Sequence, residues 1–368
     1  MTTTATMATA FNTSISGWRW RSMLPVGRPT DDCIVRSTRV SGPGMGTRPA
    51  ADNQGFAYRE EIGARGDGWA VLDYLSTYYR HSSVGEWEER IRTGRVRIDG
   101  QPARASDHLR AGQHLVWHRP PWCEPDAPCE FGVVAVDADV LAVTKPAGLP
   151  SLPGGGFLVN TLSSCVRRQF PDATTLHRLG RGTSGVMLFA RSDVARRRLA
   201  RDWRAGEVER VYRARIDGRL DREELSITIP IGPVPHRILG TVHAASTAGR
   251  PARSIVRTLE SDARTSLVEV TIATGRPHQI RIHLAAAGHP LSGDPLYGPG
   301  GVPKPGTEAL PGDGGYLLHA LRLGFRHPVS GEAQVVECAP PDAQLVRSEA
   351  AQNHEDWEHR AVTHPGGG

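Results

Sequence analysis

Read as a pattern of apolar and polar positions, the chain changes period twice. From Trp69 to Tyr79 the run WAVLDYLSTYY sets its apolar side chains at helical spacing, and VGEWEERIRTG repeats that spacing around Trp87 and Ile91 before ending at Gly94. RVRIDGQPA then alternates and turns at Asp99 and Gly100, and HLRAGQHLVWHRPPW follows, so two short helices and a small hairpin are predicted. Beyond the proline-rich RPPWCEPDAP the period shortens to two. FGVVAVDADVLAVTKPAGLP reads as two strands joined by a turn at Asp137 to Asp139, with further strands predicted at 186–190, 211–217, 253–259, 266–273, 316–326 and 333–338. Helices fit best at 160–169, 193–205 and 277–287. Strands in runs with few helices between them predict an α+β domain with a mixed, mainly antiparallel sheet rather than a doubly wound one. Residues 1–57 and 341–368 lack periodicity and read as tails, the first disordered or a targeting segment. The expected organisation is a small α/β domain at 58–118, a linker at 119–128 and a larger domain at 129–340.

Charge adds a direction. The formal net charge is +5, and the stretch RSDVARRRLARDWRAGEVERVYRAR, residues 191–215, carries an excess of that size by itself. On its own the stretch reads as a solvated helix face laced with ion pairs. A second basic cluster, Arg90, Arg92, Arg95 and Arg97, sits at the helix-to-strand junction of the small domain and suits an acidic partner. The 5 cysteines are odd in number and scattered, which supports neither a disulfide framework nor a zinc site. No apolar run approaches the roughly 20 residues of a membrane span. The first acidic residue is Asp31, and the Thr- and Ser-rich start with Arg19 and Arg21 has the composition of an organellar transit peptide. A cytoplasmic protein is expected, with an organelle as the alternative if that segment is a targeting sequence.

Three segments of the larger domain hold the candidate chemistry. VTKPAGLPSLPGGG gives a rigid turn after a strand, with Lys145, Pro146, Gly148 and Pro150. TTLHRLGRGTSGVMLFARS is a basic, glycine-containing loop feeding an apolar strand, a form that lets a large anionic ligand approach the backbone. ATGRPHQIRIHLAAAGHPLSGDPLYG gathers Arg276, His278, Gln279, Arg281 and His283 at a helical start, then Gly293, Asp294 and Tyr297. Other chemistries fail on the residues: GTSGV is not a G-x-S-x-G elbow, no phosphate-binding G-x-x-x-x-G-K-S/T is present, and His278 and His283 lack the glutamate of a zincin. A hydrolase would need a nucleophile paired with a base, and none is identifiable.

Together the segments resemble the RluA group of RNA pseudouridine synthases over essentially all of residues 129–340. Lys145-Pro146-Ala147-Gly148, HRLGRGTSG, TGRPHQIRIHL with GDPLYG, and LLHALRLGFRHPVSGE match the group's motifs in order. Residues 58–118 resemble the small S-four type of RNA-binding domain through Ile91, Gly94, Val96, Ile98, Gly100, Leu109 and Gly112. The resemblance implies a pseudouridine synthase fold and a reaction that detaches uracil from ribose and reattaches it through carbon, with no cofactor and no metal. In that group an aspartate acts on the nucleotide, a tyrosine stacks on the everted base and a basic residue pairs with the aspartate. Tyr212 matches the tyrosine, Arg281 the basic partner, and Arg178 the residue that enters the RNA stack. His177, Arg181, Lys145 and Arg276 are the expected RNA contacts of the larger domain, and Arg95 and Arg97 those of the small one.

The chain departs from the group at its centre, where Gly180 occupies the aspartate's position in a glycine variant of the loop. A missing side chain is neither nucleophile nor base. If Arg281 is buried, its guanidinium needs a substitute anion, and Asp294 is the nearest acid in the motif, although a turn-structuring role is the first expectation for it. The expected activity is isomerisation of uridine in structured ribosomal or transfer RNA by a monomeric protein. The alternative is an RNA-binding protein that keeps the fold without the chemistry. Either way, Tyr212 and Arg281 are expected to share a cavity beside Gly180.

Overall fold

The structure, a computed structural model, describes residues 53–346 and the two-residue strand Ile34–Val35. The expected tails fall largely outside the described residues. Those described divide into two compact units that meet in sequence between Cys123 and Glu124.

In the first unit a sheet runs in the order Phe56–Glu61, His114–Arg119, Val96–Ile98, Gln101–Pro102. Two helices, Val71–Tyr78 and Val84–Arg92, cover it. Val71, Tyr74, Leu75, Trp87 and Ile91 are the buried faces of those helices, and they pack with Val96, Leu109 and Leu115 in one apolar cluster. The second helix starts in a capping box: the Ser83 side chain accepts from the Glu86 N–H while the Glu86 carboxylate accepts from the Ser83 N–H. Asp99 and Gly100 both have positive φ, the requirement of a two-residue hairpin turn, and they make the turn read from the sequence. The unit begins earlier than the reading at 58: Phe56 opens a strand, and Asn53 is buried with its side-chain oxygen accepting from the Gly55 N–H. That strand hid because four of its six positions are part-covered and none is fully buried, so no strict alternation marks it.

The second unit is built on one long sheet. Its strands lie in the order Glu224–Ile227, Ser254–Ser261, Thr265–Ile272, Glu209–Asp217, Leu318–Arg326, Ser184–Ala190, Val140–Lys145, Gly132–Val136, with Ala333–Glu337 added beside Leu318–Arg326. Neighbours along this order pair antiparallel except Leu318–Arg326 with Ser184–Ala190, which run parallel, so the sheet is mixed and mainly antiparallel as expected. The parallel junction is tight. A Cβ on Gly185 would lie 2.2 Å from the Ala320 carbonyl oxygen, and Gly185 has φ of 114°, so only glycine fits. Helices Leu162–Gln169, Asp193–Ala205 and Gln279–Ala286 flank the sheet. A separate hairpin, Ile231–His236 with Gly240–Ala245, was not anticipated. The expected linker is partly built into this unit: Glu124 is buried, and its carboxylate accepts from the backbone N–H groups of Leu158, Val159 and Asn160.

Candidate active site

Sheet register assembles the site. The loop 177–183 leads into the strand Ser184–Ala190, and residues 311–317 lead into its parallel neighbour, with Ser184 opposite His319 and Gly185 opposite Ala320. Because the two strands start from the same end, Gly180 and Tyr316 are brought together. On the far side Tyr212 pairs with Ala320, so Gly185, Ala320 and Tyr212 form one row across three strands. Tyr212 packs against two apolar clusters, one containing Leu179 and the other containing Tyr316 and Ile280. Burial raises its phenol pKa, and nearby Arg210 opposes the shift.

Arg281 stands on the first turn of the helix Gln279–Ala286 and is buried together with Asp294, their side chains 3% and 1% exposed. The pair is bidentate: Nε donates to Asp294 Oδ2 and Nη2 to Oδ1, both at 2.7 Å, while Nη1 donates to the Pro311 carbonyl at 2.9 Å. Burial works against both charges, yet the pair outweighs it, holding the Asp294 carboxyl below the usual carboxylate range and the Arg281 guanidinium above its ordinary value. Asp294 is thus the substitute anion. It also structures its turn, accepting from the Leu296 and Tyr297 N–H groups, and with four donors on its two oxygens it keeps little capacity to act on a nucleotide.

The rings against Arg281 differ from those expected. Its guanidinium lies over Tyr316, 4.2 Å from the ring centroid, and Tyr297, 5.0 Å away. Tyr297 is fixed from the other side: its hydroxyl donates to the His243 carbonyl, so its oxygen accepts from Nδ1–H of His278 at 2.7 Å, which sets the neutral imidazole's tautomer. Burial, reinforced by the Arg281 charge, pulls the His278 pKa down to about 3.

Two expected RNA contacts, Lys145 and His177, are corrected by their surroundings. Lys145 is 1% exposed, and its ammonium donates to the carbonyls of Pro146, Leu149 and Arg181. It therefore bolts the loop to the preceding turn and reaches no phosphate; burial lowers its pKa to about 7. His177 is likewise structural. Its Nε2 accepts from the Leu188 N–H at 2.9 Å, its ring stacks on Trp203 at 4.1 Å, and burial with Arg210 nearby lowers its pKa to about 3, so it carries no charge for RNA. Arg181 is half-exposed, donating to the Gly312 carbonyl and pairing with Asp313 at 3.3 Å. Arg276 donates to the Pro251 carbonyl, whereas Arg178 is exposed within the loop. Arg95 and Arg97 are exposed in the first unit.

Tyr316 is the residue sequence reading missed. It lies inside the closing-strand stretch GYLLHALRL as an ordinary apolar position, and only the parallel register reveals that it faces Gly180.

The comparisons agree with this architecture. The model of the RNA pseudouridylate synthase family matches residues 139–286. The chain is 43% identical over 281 residues to an uncharacterized RNA pseudouridine synthase of Synechocystis sp., covering 76% of this chain and 96% of that one. It is 36% identical over 343 residues to RNA pseudouridine synthase 5 of Arabidopsis thaliana, covering 78% and 93%. With ribosomal large subunit pseudouridine synthase D of Neisseria meningitidis it shares 34% over 312 residues, covering 78% and 82%. On this similarity, and on a fold that brings the matching motifs to one end of two parallel strands, the chain belongs to the RluA-type family of RNA pseudouridine synthases.

Proposed function

We propose that the protein isomerises uridine to pseudouridine in structured RNA, ribosomal RNA being the first candidate and transfer RNA the second. The observation that supports this most is the integrity of the cation: Arg281 is buried with Asp294 as its counter-ion, so the loss of a carboxylate at position 180 leaves no orphaned charge. In this reading the everted base leaves its stack at a cost of a few kcal/mol and is received against Tyr212, while exposed Arg178 fills the gap in the RNA. Arg181 and Arg276 in the larger unit and Arg95 and Arg97 in the smaller, S-four-like one contact phosphates. With Gly180 bare, the group acting on the nucleotide is displaced or supplied by the substrate.

The reaction breaks the bond from uracil N1 to the ribose and forms one from C5, the C5 hydrogen leaving to solvent while N1 takes up a proton, which gives a direct test. RNA carrying tritium at uridine C5, prepared from cells lacking the protein, is incubated with the purified chain without added metal or cofactor. Tritium release confined to one size class of RNA is the expected result and names the target class. Salt-sensitive binding of that RNA with no release would instead make the protein an RNA-binding member of the fold, and the isomerase reading would fall.

A further inference from the structure

Two glycines, Gly180 and Gly182, lie in the loop, and neither has the positive φ that would call for glycine on conformational grounds. Space is what they supply. A Cβ on residue 180 would lie 2.7 Å from the Tyr316 hydroxyl oxygen and 3.3 Å from Thr183 Oγ1. One on residue 182 would lie 2.9 Å from the Gly314 Cα and 3.0 Å from Cε1 and Cζ of the same phenol ring. The edge of the Tyr316 ring is therefore nested between two bare backbone positions. Its freedom to yield is small. The ring is 4% exposed, its face lies on the Arg281 guanidinium, and its hydroxyl is bonded to Thr183 Oγ1 at 3.2 Å.

Resting on the reading of this loop as the active-site loop, we infer that Tyr316 is a positioning residue of the site, and that it takes up the volume a side chain at position 180 would fill. Its ring orients Arg281, its hydroxyl holds the Thr183 side chain, and glycine at 180 is the complement of that phenol. An aspartate cannot be restored at 180 while Tyr316 keeps its place.

A double-mutant cycle tests this. Gly180→Ala and Gly180→Asp are made alone and with Tyr316→Ala, alongside Tyr316→Phe, and melting temperature, RNA affinity and tritium release are measured on the full chain. Gly180→Ala is expected to lower the melting temperature by several degrees in the parent and by much less in the Tyr316→Ala background. Equal shifts in both backgrounds would overturn the inference. Tyr316→Ala is expected to lower kcat at least tenfold with RNA affinity within twofold, and Tyr316→Phe, which keeps the ring on Arg281, to recover most of that loss. Unchanged kcat in Tyr316→Ala would remove the positioning role. A parent protein that releases no tritium would count against the isomerase reading alone, since the melting-temperature cycle still decides whether Tyr316 and residue 180 are coupled.

Discussion

At the scale of single residues, burial decides which charges belong to the fold and which face solvent. Asp294 answers two demands, a guanidinium and two backbone N–H groups, all inside the protein. Asp294→Ala strands a buried cation, and a loss of about 3–5 kcal/mol is expected in denaturant melts. Asp294→Asn, which keeps an acceptor oxygen, is expected to lose less. Lys145 gives a contrasting case. Its three N–H donors meet three carbonyls, so Lys145→Met leaves those acceptors unpaired and is expected to cost roughly 2–4 kcal/mol while RNA affinity and its salt slope stay unchanged. A salt slope that became shallower in that variant would return Lys145 to the RNA-contacting set. Asp294's two roles were among the sequence expectations, but that of Lys145 was not visible there, since Lys145 and Arg178 look alike in sequence; the difference is only whether the surrounding backbone closes over the side chain.

At the scale of elements, legibility followed local signals. The helix Asp193–Ala205 was read with its observed ends because both carry signals of their own: the Ser192 hydroxyl accepts from the Ala195 N–H, and Gly206 ends the helix with φ of 77°. Its arginines behave as the solvated face expected of them, Arg196 pairing with Asp193 at 3.0 Å. Ser192→Ala is expected to destabilise the protein by about 1 kcal/mol, read from the denaturation midpoint, since the cap and the hydroxyl's bond to Asp139 are lost together. The hairpin Ile231–His236 with Gly240–Ala245 escaped because Pro233 and Pro235 interrupt its first strand. A proline cannot donate to a ladder, so such a run reads as a loop unless an unpaired edge is available to face those positions, and a two-stranded sheet has two edges. Its partner strand has no turn signal stronger than Gly240 to announce it.

At the scale of the whole molecule, buried neutral histidines set an acid limit. Burial lowers the pKa of His319 to about 4 from 6.5, and that of His177 and His278 to about 3. The unfolded chain then binds more protons than the folded one, so stability is fully present above pH 6.5, falls as pH drops from 6.5 toward the folded values, and its loss is complete below them. For His319, whose ring accepts from the Ser184 hydroxyl and donates to the Cys338 carbonyl, a loss on the order of 2 kcal/mol is expected at pH 5. His177 and His278, which are not fully buried, add less than their shifts alone suggest. Melting temperature is accordingly expected to fall between pH 7 and pH 5, and His319→Gln to flatten that fall; an unchanged melting temperature over the range would mean the imidazoles are not desolvated. The sequence by itself determined the family, the sheet class, most helices and strands and the absence of a side chain at 180, because motif spacing and apolar period are properties of neighbours along the chain. Only the tertiary structure decided that Asp294 neutralises Arg281, that Lys145 and His177 turn inward, and that Tyr316 meets Gly180. Those outcomes depend on strand register and on which backbone closes over which side chain; whether the partners lie 13 positions apart, as Arg281 and Asp294 do, or meet across two strands, as Tyr316 and Gly180 do, the contact leaves no periodic trace in either segment.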